Sequence, residues 1–426
     1  MRFHIETLGC KVNAYESEYY IEGLKQLGYQ EVGAHEPCDI CIINTCAVTN
    51  TAAHKSRQKI HQAKKDNPDA YCVVVGCLPQ FVSREQREAL GADLIIGADH
   101  KNEVPQRIDR LVKTGRPDDL VEEVSTFHHF EAMPIRTFEN QHRAFLKVQD
   151  GCNQFCSYCA IPFARGRERS LPAKQAVQVA KQLADAHHLE IVLTGIHTGR
   201  YHDGSTDLAG LLKEMLAVTP ASVHFRISSI EMTEVSDELI ELMRENQRIC
   251  RHLHIPIQSG CDATLQRMNR PYTVEQFQSR IDQIRSALPD VSISTDVIAG
   301  FVQESEAEFE TTMRNLEALQ FSFMHVFPYS KRSGTKASTM SGEINGKIAK
   351  ARVSKLLALS QALRLKDMAR FDTLEVLIER KQGNYYTGYT SQYHPVRIKS
   401  DQPLSGRLIV HPDSLDENGY LVTLKR

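Results

Sequence analysis

The strongest constraint on the fold of this chain is an alternation of short apolar runs with helical patterns. In the first third of the sequence, apolar runs lie at 3–8, 40–44, 71–75 and 94–96, and helical patterns follow at 15–27, 52–64, 83–90 and 104–112. Such alternation is typical of βαβ units, whose parallel strands form a sheet with helices on both faces. Residues 1–120 are therefore predicted to form an α/β domain.

A second series of the same kind begins near residue 143. Its strand candidates, which helical patterns separate, are 144–149, 191–194, 224–228, 252–258, 292–298 and 323–329. Six parallel strands with helices outside make most of a barrel, so residues 143–345 are predicted to form a partial (β/α)6 barrel that resembles a TIM barrel. The active site of such a barrel lies at the carboxyl ends of its strands.

The remaining segments predict a linker, one long helix and a small all-β domain. The linker, 121–142, has a mixed and weakly periodic composition, whereas 346–372 shows a long helical pattern. Residues 373–426 alternate apolar and polar residues between Gly, Asn, Asp and Pro turn signals, which is typical of a small β-barrel.

Composition favours an intracellular enzyme over a secreted or membrane protein. The 426 residues include 11 Cys, and so many thiols stay free for metal in a reducing cytosol. The chain opens on MRFHIETLGC, which lacks a charged-then-apolar signal segment, and it contains no apolar run long enough to span a bilayer. We therefore predict a cytoplasmic location and no membrane partner.

Charge is distributed unevenly along the sequence. The net charge of −2 argues against a protein that coats nucleic acid nonspecifically. Residues 347–426, however, hold fourteen Lys and Arg against eight Asp and Glu, an excess of +6. This end offers a basic surface for a nucleic acid, or else a solvated charged helix.

Three cysteines in the stretch GCNQFCSYC indicate an iron–sulfur site. Clusters of four irons normally take four thiolates, whereas Cys152, Cys156 and Cys159 can ligate only three irons. In this sequence context, S-adenosylmethionine is the candidate ligand of the open iron, held by its amino and carboxylate groups. Zinc is the alternative, although no second pair of Cys or His follows Cys159 closely.

A second trio of cysteines follows predicted strands of the first domain. Cys10, Cys46 and Cys77 each lie just beyond the carboxyl end of a strand, where open α/β sheets gather their ligands. These three dispersed residues are expected to converge. The other cysteines are interpreted as structural residues: Cys38, Cys41, Cys72, Cys250 and Cys261.

The motifs around both cysteine trios resemble those of known enzyme families. GCNQFCSYCAIPFARGRERS resembles the cluster loop of radical S-adenosylmethionine enzymes, and TLGCKVNAYESE, NTCAVT and VGC resemble the N-terminal domain of the methylthiotransferases. RISSIE, HLHIPIQSGCDATLQRMNRPYT, STDVIAGF and HVFPYSKRSGT agree, and the last domain resembles a TRAM domain. Lys11, Val12 and Ala14 make the chain more similar to the group that acts on threonylcarbamoyladenosine in tRNA than to its sister groups.

The resemblance implies two [4Fe–4S] clusters and S-adenosylmethionine as cofactors. Cys152, Cys156 and Cys159 would hold the cluster that cleaves S-adenosylmethionine into methionine and a 5′-deoxyadenosyl radical, and Cys10, Cys46 and Cys77 an auxiliary cluster that provides sulfur. Tyr158 is expected to pack the adenine of S-adenosylmethionine, or else to be an ordinary packed aromatic. Position in the barrel adds further expected contacts with that cofactor: Gly195, Ser229, Gln258 and Asp296.

The implied partners are the anticodon stem-loop of tRNA, an electron donor such as flavodoxin or ferredoxin, and a sulfur donor. The implied reaction adds a methylthio group to carbon 2 of threonylcarbamoyladenosine at position 37, next to the anticodon. Three alternatives stay open: action on isopentenyladenosine in tRNA, action on an aspartate of a ribosomal protein, and a noncatalytic iron–sulfur carrier. The chain departs from the family pattern at 300–306, where GFVQESE replaces a Pro-Gly turn.

Overall fold

The N-terminal domain is a six-stranded parallel sheet covered by helices. The structure, a computed structural model, describes residues 1–138 and 142–424, so positions 139–141 of the predicted linker and the last two residues lie outside it. The sheet order is β2-β1-β3-β4-β5-β6. The strands are β1 Arg2–Thr7, β2 Gln30–Glu31, β3 Ile40–Thr45, β4 Tyr71–Gly76, β5 Leu94–Ile96 and β6 Asp118–Leu120.

Alternate residues of each central strand pack on opposite faces of this sheet. Ile40 and Ile42 share a core with the helices α1 and α4, whereas Cys41 and Ile43 share one with α2 and its neighbours. The helices are α1 Lys11–Gln26, α2 Asn50–Asp66, α3 Arg84–Glu88 and α4 Val104–Thr114. The predicted parallel sheet is confirmed. The sequence analysis missed the edge strands β2 and β6 because both are short and polar.

The central domain is a curved parallel sheet of six strands. It consists of two hydrogen-bonded halves, β13-β10-β7 and β14-β15-β16, and the parallel bridges Phe225–Ile249 and Ser229–His254 join them. The six strands are β7 Arg143–Lys147, β10 Glu190–Thr194, β13 His224–Ile227, β14 His252–His254, β15 Ser292–Ala299 and β16 Phe323–Pro328. This partial barrel, open between β7 and β16, confirms the predicted architecture.

Helices and short ribbons lie between these strands. Two short antiparallel ribbons pair β8 Gln149–Asp150 with β9 Arg169–Ser170 and β11 His202–Asp203 with β12 Thr206–Asp207. The helices are α5 Ile161–Arg165, α6 Ala173–Asp185, α7 Leu208–Val218, α8 Asp237–Glu245, α9 Asp262–Arg267, α10 Val274–Ala287 and α11 Glu306–Leu319. The strand predicted at 252–258 ends at His254, and the backbone turns at Gln258, whose φ is +71°.

The segment that departs from the family pattern forms a tight turn after β15. Gly300 and Gln303 both have positive φ values, +70° and +64°. The buried Glu304 carboxylate accepts hydrogen bonds from the Gly300 amide at 2.8 Å and from Arg352 Nη1 at 2.7 Å. An ion pair therefore holds the turn although the Pro-Gly sequence is missing.

The C-terminal region begins with a long helix, α12 Gly346–Met368, which packs on β16. A six-stranded all-β domain with its own apolar core follows, in the order β20-β17-β18-β19-β22-β21. Its strands are β17 Leu374–Gln382, β18 Tyr385–Thr390, β19 Pro395–Lys399, β20 Arg407–Val410, β21 Ser414–Asp416 and β22 Gly419–Thr423. Within the part of the chain that the structure describes, no helix is long and apolar enough to cross a membrane.

The C-terminal domain closes the amino-terminal end of the barrel. The loop between β18 and β19 inserts there, where the buried Arg226 donates to the carbonyl oxygens of Thr390 and Ser391 at 3.2 and 3.0 Å. The N-terminal domain lies at the barrel's open side, since Asn50 at the start of α2 donates to Ser330 Oγ at 2.9 Å. All three domains therefore border the barrel interior.

Candidate active site

The loop that carries the first cysteine trio is held in a tight fold. It follows β8 at the carboxyl end of β7, and the amide of Cys152 donates to the carbonyl of Gly166 at 3.0 Å. Gly151 has a φ of +74°, and a Cβ there would lie 1.9 Å from the carbonyl oxygen of Arg167. Only glycine fits, because two backbone segments approach each other at this point.

The chemistry of these thiols suits an iron cluster. Burial raises the pKa of Cys159 to about 12, and the thiolates of Cys156 and Cys152 are close enough to raise it further. Burial also raises the pKa of Cys156, whose sulfur accepts a hydrogen bond from Arg270 Nη1 at 3.3 Å. Thiols that resist ionisation when clustered and buried become thiolates once a metal binds them, so the trio fits the implied cluster.

A histidine that the sequence analysis did not select completes this loop. His197 lies two residues beyond Gly195, with its Nδ1 3.4 Å from Cys152 Sγ and its Nε2 2.8 Å from a carboxylate oxygen of Glu234. Hydrogen bonds to Cys152, Glu168 and Glu234 outweigh burial and raise the pKa of His197 to about 12. The ring nitrogens thus link Cys152 to the carboxylates of Glu168 and Glu234.

The second trio converges at the carboxyl edge of the N-terminal sheet. Cys10 precedes α1, Cys46 follows β3 and Cys77 follows β4. Burial raises the pKa of Cys46 to about 11, and the charges of Cys77 and Cys10 raise it further, so the three sulfurs are near one another. Gly9 lets two loops meet, since a Cβ there would lie 2.8 Å from Cys46 Cβ. This trio also fits the implied cluster.

One cavity connects the second trio with the barrel interior. Its volume is about 710 Å³, and its lining includes Cys10 together with the predicted contacts Gly195, Ser229 and Asp296. The all-β domain adds Tyr389 and Tyr393, whose rings stack with centroids 4.8 Å apart.

Tyr158 and Gln258 lie outside this lining. Tyr158 packs edge-on against Phe301, with ring centroids 6.4 Å apart, as its alternative interpretation as a packed aromatic expects. The backbone of Gln258 extends the sheet by donating to the carbonyl of Asp296 at 2.9 Å. The five residues expected to contact S-adenosylmethionine therefore do not all line one cavity, and their roles stay predictions.

Comparison with known proteins matches both cysteine-bearing domains. Residues 2–97 match the uncharacterized protein family UPF0004, and residues 146–316 match the radical SAM superfamily. The chain is 38% identical over 416 residues to the threonylcarbamoyladenosine tRNA methylthiotransferase MtaB of Bacillus subtilis, which covers 96% of this chain and 92% of the relative. Identity to MtaB of Chlamydia pneumoniae is 35%, covering 98% and 97%. The chain belongs to the radical SAM methylthiotransferase family.

Further comparisons place this methylthiotransferase among its relatives. It is 31% identical to the tRNA-2-methylthio-N(6)-dimethylallyladenosine synthase of Thermodesulfovibrio yellowstonii, covering 93% of each chain. Among solved structures, the radical S-adenosylmethionine methyltransferase TsrM from Kitasatospora setae has a TM-score of 0.58 at 12% identity, covering 77% of this chain and 74% of TsrM. That likeness concerns the fold alone. Membership of the family makes the chain an enzyme that uses S-adenosylmethionine and a [4Fe–4S] cluster.

A buried charge cluster joins the two cysteine trios of the methylthiotransferase. Arg165 ends α5, a helix about 7 Å long that begins two residues after Cys159. Its fully buried guanidinium donates to Glu16 Oε1 at 2.9 Å, to Asp150 at 3.1 Å and to Asn13 Oδ1 at 2.8 Å. Glu16 and Asn13 belong to α1, the helix that Cys10 precedes.

Two buried lysines complete this charge cluster. Lys101 and Lys147 lie 2.9 and 3.1 Å from Glu16 Oε1, and Lys147 also pairs with Asp150 at 2.6 Å. Three cations thus face two carboxylates, and the positive charge of Arg165 favours the thiolate forms of Cys10 and Cys46. Arg165 is not among the site residues predicted from the sequence. Its partners are distant in sequence, and no local signal identifies them.

Two histidines beside the predicted contact Asp296 were not predicted from the sequence. His254 Nε2 lies 3.2 Å from Asp296 Oδ1, and His325 on the neighbouring strand completes a set whose ligand atoms lie within 4.8 Å of one another. These three side chains point into the barrel from adjacent strands. The alternation of inward and outward side chains along each strand is therefore the sequence signal for this set.

Proposed function

We propose that this enzyme converts threonylcarbamoyladenosine at position 37 of tRNA into its 2-methylthio derivative, with two molecules of S-adenosylmethionine and two [4Fe–4S] clusters. The single observation that carries the proposal is the cavity that Cys10 of the second trio shares with Gly195, Ser229 and Asp296 of the barrel. The full-length similarity to the MtaB proteins, whose name specifies threonylcarbamoyladenosine in tRNA, indicates the substrate.

The two cysteine trios have different roles in this proposal. Cys152, Cys156 and Cys159 hold the cluster that binds S-adenosylmethionine, and Cys10, Cys46 and Cys77 hold the auxiliary cluster. When bound, the first cluster supplies the electron that cleaves S-adenosylmethionine, and the second supplies the sulfur. The charge cluster around Arg165 holds α1, which Cys10 precedes, against α5, which follows Cys159.

The cavity suits a base that leaves the stacked anticodon loop. Unpaired bases of a loop can be splayed out and read on their edges, and the cavity offers the polar side chains of Ser229 and Asp296 for such contacts. Exposed cations lie at the start of α12 and on the β17–β18 hairpin: Lys347, Lys350, Arg380 and Lys381. They are available for phosphate contacts, which dominate the affinity of proteins for nucleic acids.

The structure favours point variants over truncation as a test of tRNA binding. Removal of the all-β domain would expose the buried Arg226 at the base of the barrel and unfold the site. Arg380→Glu with Lys381→Glu is expected to weaken tRNA binding and to reduce the slope of log K against log salt by about 2. Lys181→Glu on α6 is the control. A double variant with unchanged affinity and slope contradicts this role.

The product is tested by mass spectrometry of tRNA nucleosides from cells that lack the gene. Loss of 2-methylthio-threonylcarbamoyladenosine, with accumulation of its precursor, supports the proposal. An intact nucleoside pool refutes it. Loss of the methylthio derivative of isopentenyladenosine instead would select the second candidate, which the 31% identity to the dimethylallyladenosine enzyme favours.

Anaerobic incubation with S-adenosylmethionine and a reductant distinguishes an enzyme from a noncatalytic iron–sulfur carrier. An enzyme produces 5′-deoxyadenosine, whereas a noncatalytic carrier does not. In the cell we propose an electron donor such as flavodoxin or ferredoxin, a separate sulfur donor and a cytoplasmic location. The aspartate of a ribosomal protein is the remaining alternative substrate, and no contact in the described structure favours it.

A further inference from the structure

The cavity between the three domains is lined by more cationic than anionic side chains. Lys11, Arg226 and Arg364 line it, and Asp296 is its one carboxylate among the residues that the structure describes. Arg226 is fully engaged, because it pairs with Glu190 at 2.7 Å and donates to two carbonyl oxygens of the inserted loop. Asp296 is engaged by His254.

The other two cations have no such partner. Among the described side chains, no carboxylate lies within ion-pair distance of Lys11 or Arg364. Lys11 instead lies over the ring of Tyr393, with Nζ 5.7 Å from the ring centroid, and Arg364 lies 5.3 Å from the centroid of Phe323. Both therefore present a positive charge to the cavity that aromatic faces partly compensate and no carboxylate neutralises.

The position of Lys11 in its helix is electrostatically unfavourable. It is the first residue of α1, where the partial positive charge of the helix dipole repels a cation. An anion that enters the cavity would relieve this repulsion.

The chemistry of the proposed substrate supplies such an anion. The threonylcarbamoyl group on N6 of adenosine ends in a carboxylate, whereas an isopentenyl group is wholly apolar. Carbon 2 and the N6 substituent flank N1 on one edge of the adenine ring. A base whose carbon 2 faces the second cysteine trio therefore directs its N6 substituent along the cavity wall beside that trio. Lys11 directly follows Cys10 in this wall.

We propose that Lys11 binds the carboxylate of the threonylcarbamoyl group and so selects an acidic N6 substituent over an apolar one. This inference rests on the proposed function.

The test compares two anticodon stem-loops that differ in one group, the threonylcarbamoyl carboxylate and its carboxamide. Equilibrium binding to the cluster-loaded enzyme is measured by fluorescence anisotropy, and kcat/KM is measured with S-adenosylmethionine and reductant. Lys11→Met is expected to weaken binding of the carboxylate stem-loop roughly 10- to 100-fold and to leave the carboxamide stem-loop within about 2-fold. Lys11→Arg should retain most of the discrimination, and Lys181→Met is the matched control.

The outcomes separate this inference from the proposed function. Equal weakening of both stem-loops by Lys11→Met overturns the inference, as does a wild-type enzyme that binds the two equally. Loss of bound iron in Lys11→Met without any change in discrimination assigns Lys11 to the cluster and also overturns it. A wild-type enzyme that modifies the isopentenyladenosine stem-loop and not the threonylcarbamoyl one refutes the proposed function itself.

Discussion

Replacement of Glu16 by Gln removes the charge at the centre of the buried cluster between the two cysteine trios. Its carboxylate is fully buried and pairs with Lys101 at 2.9 Å, Lys147 at 3.1 Å and Arg165 at 2.9 Å. Lys147 and Arg165 keep Asp150 as a partner. In residues 1–138 and 142–424, Lys101 has no other carboxylate at ion-pair distance, so the variant leaves a buried cation unpaired.

The expected cost is about 3–5 kcal/mol of the free energy of unfolding, because an uncompensated charge stays buried. An exposed pair contributes only about 0–1 kcal/mol. With a urea m-value of about 3 kcal/mol/M, the loss lowers the unfolding midpoint by about 1–1.7 M. The chain contains no Trp, so far-ultraviolet circular dichroism is the suitable probe.

Two comparison variants make this prediction specific. Glu16→Gln combined with Lys101→Met removes the orphaned cation and should recover part of the stability. Asp185→Asn breaks the exposed pair with Lys181 and should change the midpoint little. A loss below about 1 kcal/mol for Glu16→Gln, or a double variant no more stable than the single one, would refute the argument that buried ion pairs join the domains.

Three further predictions concern the clusters, acid stability and one strained turn. Cys156→Ala should lower the iron content from about eight to about four atoms per chain and abolish cleavage of S-adenosylmethionine. Cys46→Ala should retain this cleavage and stop sulfur insertion. Formation of the full product by Cys46→Ala would contradict the auxiliary site. Burial, helped by Arg407, lowers the pKa of His224 to about 4. As pH falls from about 6.5 to 4, the histidine is protonated only in the unfolded chain. The free energy of unfolding therefore decreases in that window, by about 2 kcal/mol at pH 5. In urea titrations at pH 7.5 and 5, His224→Phe should remove this contribution to the difference in free energy of unfolding between the two pH values. An unchanged difference would be evidence against the role of His224. Gln303→Gly should raise the free energy of unfolding by up to about 1 kcal/mol, because Gln303 has a positive φ that glycine adopts without strain. A lowered urea midpoint would show that the turn is not strained.

Local patterns in the sequence predicted the order and type of the main elements. The apolar runs of the first domain became β1, β3, β4 and β5, because a buried parallel strand needs continuous apolar residues whatever lies beside it. The strands β2 and β6 were missed, since edge strands bury little and carry no apolar signal. The strand at 252–258 was predicted too long, because its end depends on the turn at Gln258.

The cysteines of the candidate site were predicted and their hydrogen-bond partners were not, because sequence patterns are local. Spacing identified the first trio, and the ends of predicted strands identified the second. Arg270 and His197, which donate to the sulfurs of Cys156 and Cys152, were not selected. Each is separated from its cysteine by tens of residues, and no periodic pattern links them.

By itself, the sequence determined the fold class and the family and predicted the two cysteine trios, because spacing and periodicity are properties of short stretches. The tertiary structure alone decided that Glu16 and Arg165 join the two trios, and that Lys11 shares a cavity with tyrosines of the last domain. These contacts depend on how whole domains pack. The free energy that fixes them comes from burial and from the pairing of charges far apart in the chain.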